Sequence, residues 1–120
     1  MPKTVSFTSL ENRYMREIRS RISTSEDRVD LTNQFSLISA ELMSEALGGV
    51  AVRIDDVSFD AGTGEHYRVS ERLRSMPGFA DAWNGSDLPV ILGRFAGVAW
   101  KHYQRLVRHP SRTELKFRIS

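Results

Sequence analysis

Residues 50–70 read VAVRIDDVSFDAGTGEHYRVS, and the pattern of this stretch decides the fold class. Val50, Val52 and Ile54 alternate with Ala51, Arg53 and Asp55, the period-two signature of a half-buried strand. Further on the apolar phase moves to odd positions, Val57 and Phe59, so one extra residue must be absorbed near Asp55 and Asp56, most simply as a β-bulge. Asp60-Ala61-Gly62-Thr63-Gly64 is turn chemistry, and Tyr67 and Val69 then alternate with His66, Arg68 and Ser70 in a returning strand. A β-hairpin is expected here, inside a chain whose flanks carry helical periodicity.

Upstream, Leu10, Tyr14, Ile18 and Ile22 recur every four residues behind Ser9, which is read as an N-cap, while Arg13, Arg16 and Arg19 fall off that stripe. A helix near 9–22 with a basic outer side follows. Ser23-Thr24-Ser25 breaks it and supplies a new cap, and the acidic pair Glu26-Asp27 suits the start of a second helix. That helix, near 25–47, carries Leu31, Phe35, Ile38, Leu42 and Ala46 at helical spacing and ends at Gly48-Gly49. The two should pack as an antiparallel pair.

Downstream, Ser70 to Gly85 holds Leu73 and Met76, then Pro77, then Phe79 and Trp83 four apart, which suggests two short helical turns. Ser86-Asp87 caps a last helix near 87–108, with Pro89 tolerated in its first turn and Pro110 beyond its end. Leu92, Phe95, Ala96, Ala99, Tyr103 and Leu106 share one face of it, whereas Arg94, Lys101, Arg105 and Arg108 line the other. Short strands are expected at Lys3 to Thr8, through Val5 and Phe7, and at the C-terminal end, through Leu115, Phe117 and Ile119. The expected fold is a single α+β domain over residues 1–120, a small, mostly antiparallel sheet packed against helices in the order β-α-α-β-β-α-β.

The chain has 120 residues, 40% of them hydrophobic and 27% charged, which is enough to bury one core without a metal or disulfide staple. Cysteine is absent, so disulfides, thiolate zinc sites, cysteine-ligated clusters and cysteine nucleophiles are all excluded. No signal-peptide pattern opens the sequence, and no apolar run approaches the roughly 20 residues of a membrane span. A cytoplasmic protein without membrane contact is the expectation.

Charge is unevenly distributed. Residues 94–120 carry seven basic side chains against Glu114 alone, whereas residues 29–93 carry ten acidic against four basic. The last-helix line of Arg94, Lys101, Arg105 and Arg108, extended by His109 and Arg112, is the footprint expected of a polyanion binder. A solvated helix face with basic residues near its C-terminus is the competing reading. Gly93 and Gly97 lie four apart on one side of the same helix, where each costs about 1 kcal/mol relative to alanine, so close approach by another helix, a ligand or a second subunit is expected. Trp100 on that flank either stacks on a partner or sits at the rim of the core.

Other groupings are weaker. Asp55-Asp56 with Asp60 and Glu65 lack a calcium-loop spacing, and Gly62-Thr63-Gly64-Glu65 lacks the remainder of a phosphate loop. His102 and His109 are about 10 Å apart along a helix, too far to share a metal, and no serine stands in a nucleophile-elbow pattern. No cofactor, metal site or catalytic residue is expected. The leading expectation is a non-enzymatic interaction domain that binds a protein partner or a second copy through the last helix, with Gly93, Gly97 and Trp100 at the contact. The rival is a nucleic-acid or polyanion binder using the basic face, and behind it an enzyme or small-ligand protein with an unlocated pocket.

Overall fold

The computed structural model describes residues 6–108. Helix α1 (Thr8–Ser23) and helix α2 (Arg28–Ala46) are followed by strands β1 (Val57–Phe59) and β2 (Tyr67–Val69), short helices α3 (Glu71–Arg74) and α4 (Phe79–Asn84), and the long helix α5 (Leu88–Arg108). The architecture is α+β, a two-stranded antiparallel sheet packed against helices. The expected strand at Leu115 to Ile119, together with His109 and Arg112, lies outside the described residues, as do Lys3 to Val5 of the expected first strand. Thr8, the last residue of that strand, opens α1 instead.

Helices α1, α2 and α5 pack pairwise, with β1 against α2 and β2 against α5. The stripe read from the sequence is the one that goes inside: Tyr14, Ile18 and Ile22 of α1, Leu31, Phe35, Ile38 and Leu42 of α2, and Leu92, Phe95, Ala96, Ala99 and Leu106 of α5 are all buried. No helix among the described residues is long and apolar enough to cross a membrane.

The helix ends are set by local chemistry. Ser25 does not cap α2; it is buried and its hydroxyl donates to the Arg21 carbonyl, while Asp27 accepts from the Asp30 amide and starts the helix at Arg28. Nor does Ser9 cap α1, which follows Phe7 without any side-chain cap. At the far end of α2 the Gly48 and Gly49 amides reach back to the carbonyls of Glu45 and Ser44, the paired bonds of a Schellman turn. Both glycines have positive φ, 81° and 94°, a region that side-chain-bearing residues rarely occupy.

The hairpin pairs Val57 with Val69 and Phe59 with Tyr67, closed by a turn in which the Asp60 carboxylate accepts from the Gly62 amide. Its first strand is shorter than the alternation implied. Val50 to Ile54 is not a strand, Ile54 is 51% exposed, and a turn replaces the expected bulge. The reason is Asp56, only 2% exposed, whose carboxylate accepts from the Arg53 amide at 2.7 Å, from the Ser70 hydroxyl at 2.6 Å and from the Arg72 guanidinium. Arg72 also donates to the Ala51 carbonyl. These bonds, with that of the Asp56 amide to the Arg53 carbonyl, hold 53–56 as a turn, and a turned backbone cannot offer a ladder.

Ser39 of α2 is fully buried, and its hydroxyl has no hydrogen-bond partner among the described residues. Such a group costs stability without returning any. Ser39→Ala is expected to raise the stability by about 1 kcal/mol, read as a higher urea midpoint at unchanged slope. A lower midpoint would show that the hydroxyl is satisfied in solution.

Candidate functional site

The basic residues of the last helix do not share one fate. Arg94 is engaged internally: its Nη1 donates to both carboxylate oxygens of Glu11 on α1, at 2.8 and 2.7 Å. Glu11 is buried and Arg94 exposed, so the pair closes the seam between α1 and α5 from the outside, and the carboxylate holds the guanidinium pKa above its ordinary value. Lys101, Arg105 and Arg108 are exposed and form no ion pair among the described residues.

The acidic middle segment does not neutralise them. Asp56 pairs with Arg72, Asp60 with Arg68, and Glu45 reaches across to Arg13 on α1. Of the three arginines on the outer side of α1, Arg13 is thereby turned toward α2. Arg16 and Arg19 line a recess with Glu11, Asn12, Met15 and Arg94, and Arg19 also lines the adjoining one with Ile22, Ser23, Val98, Lys101, His102 and Arg105. Among the described residues the second recess, about 310 Å³, holds three permanent cations and no carboxylate. Its floor is apolar, through buried Ile22 and half-buried Val98.

This groove was only partly legible. Arg16 and Arg19 read as an outer face of one helix and Lys101 and Arg105 as that of another, and nothing local shows that the two faces meet. The participation of His102 was missed. Its Nε2 lies 2.9 Å from the Ser25 carbonyl in the α1–α2 connection, which fixes the ring at the groove wall. No signal in the sequence marks this contact, because it joins residues 25 and 102.

Of the approaches expected at the glycine flank, that of another helix is not found among the described residues: a Cβ built at Gly93 or Gly97 meets no atom within 4 Å. The open face also bears Val90, 54% exposed, and Val107, 49% exposed. Trp100 is half-buried. Its ring lies parallel to His66, with centroids 4.1 Å apart and planes within 7°, and is also stacked on Tyr103 at 5.5 Å. Tyr103 in turn meets Phe59, and Phe59 meets Phe35, so Trp100 lies between His66 and Tyr103 in an aromatic ladder that fastens α5 to the hairpin.

Neither imidazole of the described histidines hydrogen-bonds a carboxylate or a serine hydroxyl, and among the described residues no three histidines or carboxylates gather as metal ligands do. What the two recesses offer is a group of exposed cations, Arg16, Arg19, Lys101 and Arg105, beside the apolar Ile22 and Val98. Comparison of the chain with protein-family models, curated proteins and solved structures finds no match.

Proposed function

We propose that this domain binds nucleic acid through its phosphate backbone in the groove between α1 and α5. The observation that carries the reading is convergence: Arg16 and Arg19 of one helix and Lys101 and Arg105 of another, far apart in sequence, line adjoining recesses while the acidic segment spends its described ion pairs elsewhere. Arg16 and Arg19 are about 4.5 Å apart along their helix axis and Lys101 and Arg105 about 6 Å, so the cations form a track suited to successive phosphates. An anionic membrane surface is the poorer fit, because the groove exposes no large apolar side chain to insert. Among the described residues no phenylalanine, tyrosine or tryptophan lines the two recesses, so binding should be insensitive to sequence. The cysteine-free composition suits a reducing compartment, and we place the protein in the cytoplasm in this reading.

Four phosphate contacts imply that affinity for duplex DNA falls about a hundredfold between about 50 and 200 mM salt. Titration of labelled single- and double-stranded oligonucleotides measures this directly. Lys101→Glu with Arg105→Glu should abolish binding and leave the circular dichroism spectrum unchanged, since both side chains are exposed. Absence of binding by the native protein at about 50 mM salt, a condition that favours phosphate contacts, overturns the proposal.

A second reading is self-association through the open face of α5. An antiparallel crossing near Gly97 would set Val90 of one copy beside Val107 of the other, covering both exposed valines. Repulsion between the flanking cations of the two copies opposes it, which ranks it second. A Cβ at Gly97 meets no internal neighbour, so Gly97→Leu should fold. Sedimentation should then show a native dimer shifted to monomer; a monomeric native protein removes this reading.

A further inference from the structure

We infer that the recess at the C-terminal end of α1 receives a terminal phosphate of a nucleic-acid strand, a phosphomonoester where the rest of the groove takes diesters. The inference rests on the nucleic-acid reading above and assigns its two recesses different phosphates. The recesses differ in charge. Among the described residues this one is lined by Arg19, Lys101 and Arg105 with no carboxylate, whereas in the other Arg16 and Arg19 stand beside the Arg94–Glu11 pair, whose charges cancel. A backbone phosphodiester carries one negative charge, and a terminal phosphomonoester carries about two, on three free oxygens. The dianion therefore gains most where three cations meet without a competing anion.

The place in the fold suits a strand end. Helix α1 stops at Ser23, so beyond this recess the groove has no α1 wall. The connection that follows is tied to α5, where His102 Nε2 donates to the Ser25 carbonyl at 2.9 Å. A helix C-terminus ordinarily repels an anion through its unpaired carbonyls. Here those carbonyls are occupied. The Ser20 carbonyl accepts from the hydroxyls of Ser23 and Thr24, the Arg21 carbonyl from those of Thr24 and Ser25, and the Ile22 carbonyl from the Ser25 amide. The run Ser23-Thr24-Ser25 thus offsets the negative pole of α1 beside the recess and leaves the three cations to set its potential.

The probes are three short single-stranded oligonucleotides of one sequence, with a 5′-phosphate, with a 3′-phosphate, or with hydroxyls at both ends. They are titrated at about pH 8, above the second phosphate pKa of about 6, so that the terminal group is a dianion. Neutralising one more charge should make a phosphorylated strand bind about eightfold tighter than the unphosphorylated one at about 50 mM salt, with a salt slope steeper by about 0.7. Strand polarity decides whether the 5′ or the 3′ phosphate shows this preference, and either one supports the inference. Two variants of exposed cations locate it. Lys101→Gln and Arg16→Gln should both weaken binding, but only Lys101→Gln should bring the phosphorylated and unphosphorylated strands close to equal affinity. Equal affinity of the native protein for all three strands overturns the inference and leaves the groove reading standing. So does a preference that Lys101→Gln leaves intact or that the two variants reduce equally. A nucleoside monophosphate that competes at the concentration of the oligonucleotide assigns the recess to a free small molecule and also overturns the inference. Absence of binding by every strand overturns both.

Discussion

Replacing Phe35 with alanine is expected to cost about 4 kcal/mol of folding stability, the largest single effect of a side-chain truncation in this molecule. Phe35 lies on α2 with no exposed surface and meets the Phe59 ring of β1 edge-on, with centroids 6.0 Å apart and planes at 67°. Phe59 continues to Tyr103 on α5, so the one side chain joins the helical layer to the hairpin. Truncation removes the transfer free energy of the ring, leaves a cavity that α2 cannot close by itself, and breaks an aromatic pair. Domains of this size have only about 5–15 kcal/mol of stability, so the variant should approach unfolding at moderate temperature. Urea denaturation decides it, with Phe35→Leu as a milder companion that keeps most of the volume. A loss below about 1 kcal/mol would mean that Phe35 is not central to the core.

The second large effect is expected at Asp56. Burial alone would push its carboxyl pKa up, but hydrogen bonds from Arg72, Ser70 and the Arg53 amide outweigh it and leave the value below the ordinary one. Asp56→Ala would strand three buried or half-buried donors at once, and a loss of about 3 kcal/mol is expected. The pH dependence has a definite sign. A carboxyl whose pKa is lower folded than unfolded adds stability that is complete above the unfolded value, about 4, and is lost as pH falls through the folded value. The gap in stability between the native protein and Asp56→Asn should therefore be widest near neutrality and shrink as the pH falls below about 4. A gap that is constant with pH would assign the effect to packing instead of charge. Proteolysis should cut first within 50–56 in the variant, because that segment relies on Asp56 and Arg72 instead of on a strand partner.

Helix existence and facing were legible in the sequence because both are local. The four-residue recurrence of Tyr14, Ile18 and Ile22, the spacing through Phe35 and Leu42, and the stripe through Phe95 and Leu106 each follow from the geometry of one helix, and all of these residues are buried. The stop at Gly48-Gly49 is local for the same reason: it depends only on which residues tolerate positive φ. Strand extent was not legible, since a strand exists only where another strand supplies its hydrogen bonds. Val50, Val52 and Ile54 alternate as well as Val57 and Phe59 do, yet only the latter pair against Tyr67 and Val69.

The site divides along the same line. The sequence by itself determined that α5 presents a basic side and that α1 does too, since facing is a matter of angle around one axis. Only the tertiary structure decided which cations stay available: Arg94 is bound to Glu11 and Arg13 to Glu45, while Arg19 lines one recess with Lys101 and Arg105 and the adjoining one with Arg16. It likewise left Gly93 and Gly97 open and placed Trp100 against His66. The physical reason is range. Backbone geometry couples residues a few positions apart, whereas ion pairing and groove formation couple residues 11 with 94 and 19 with 105, and those distances are set when three amphipathic helices choose how to bury their stripes against one another.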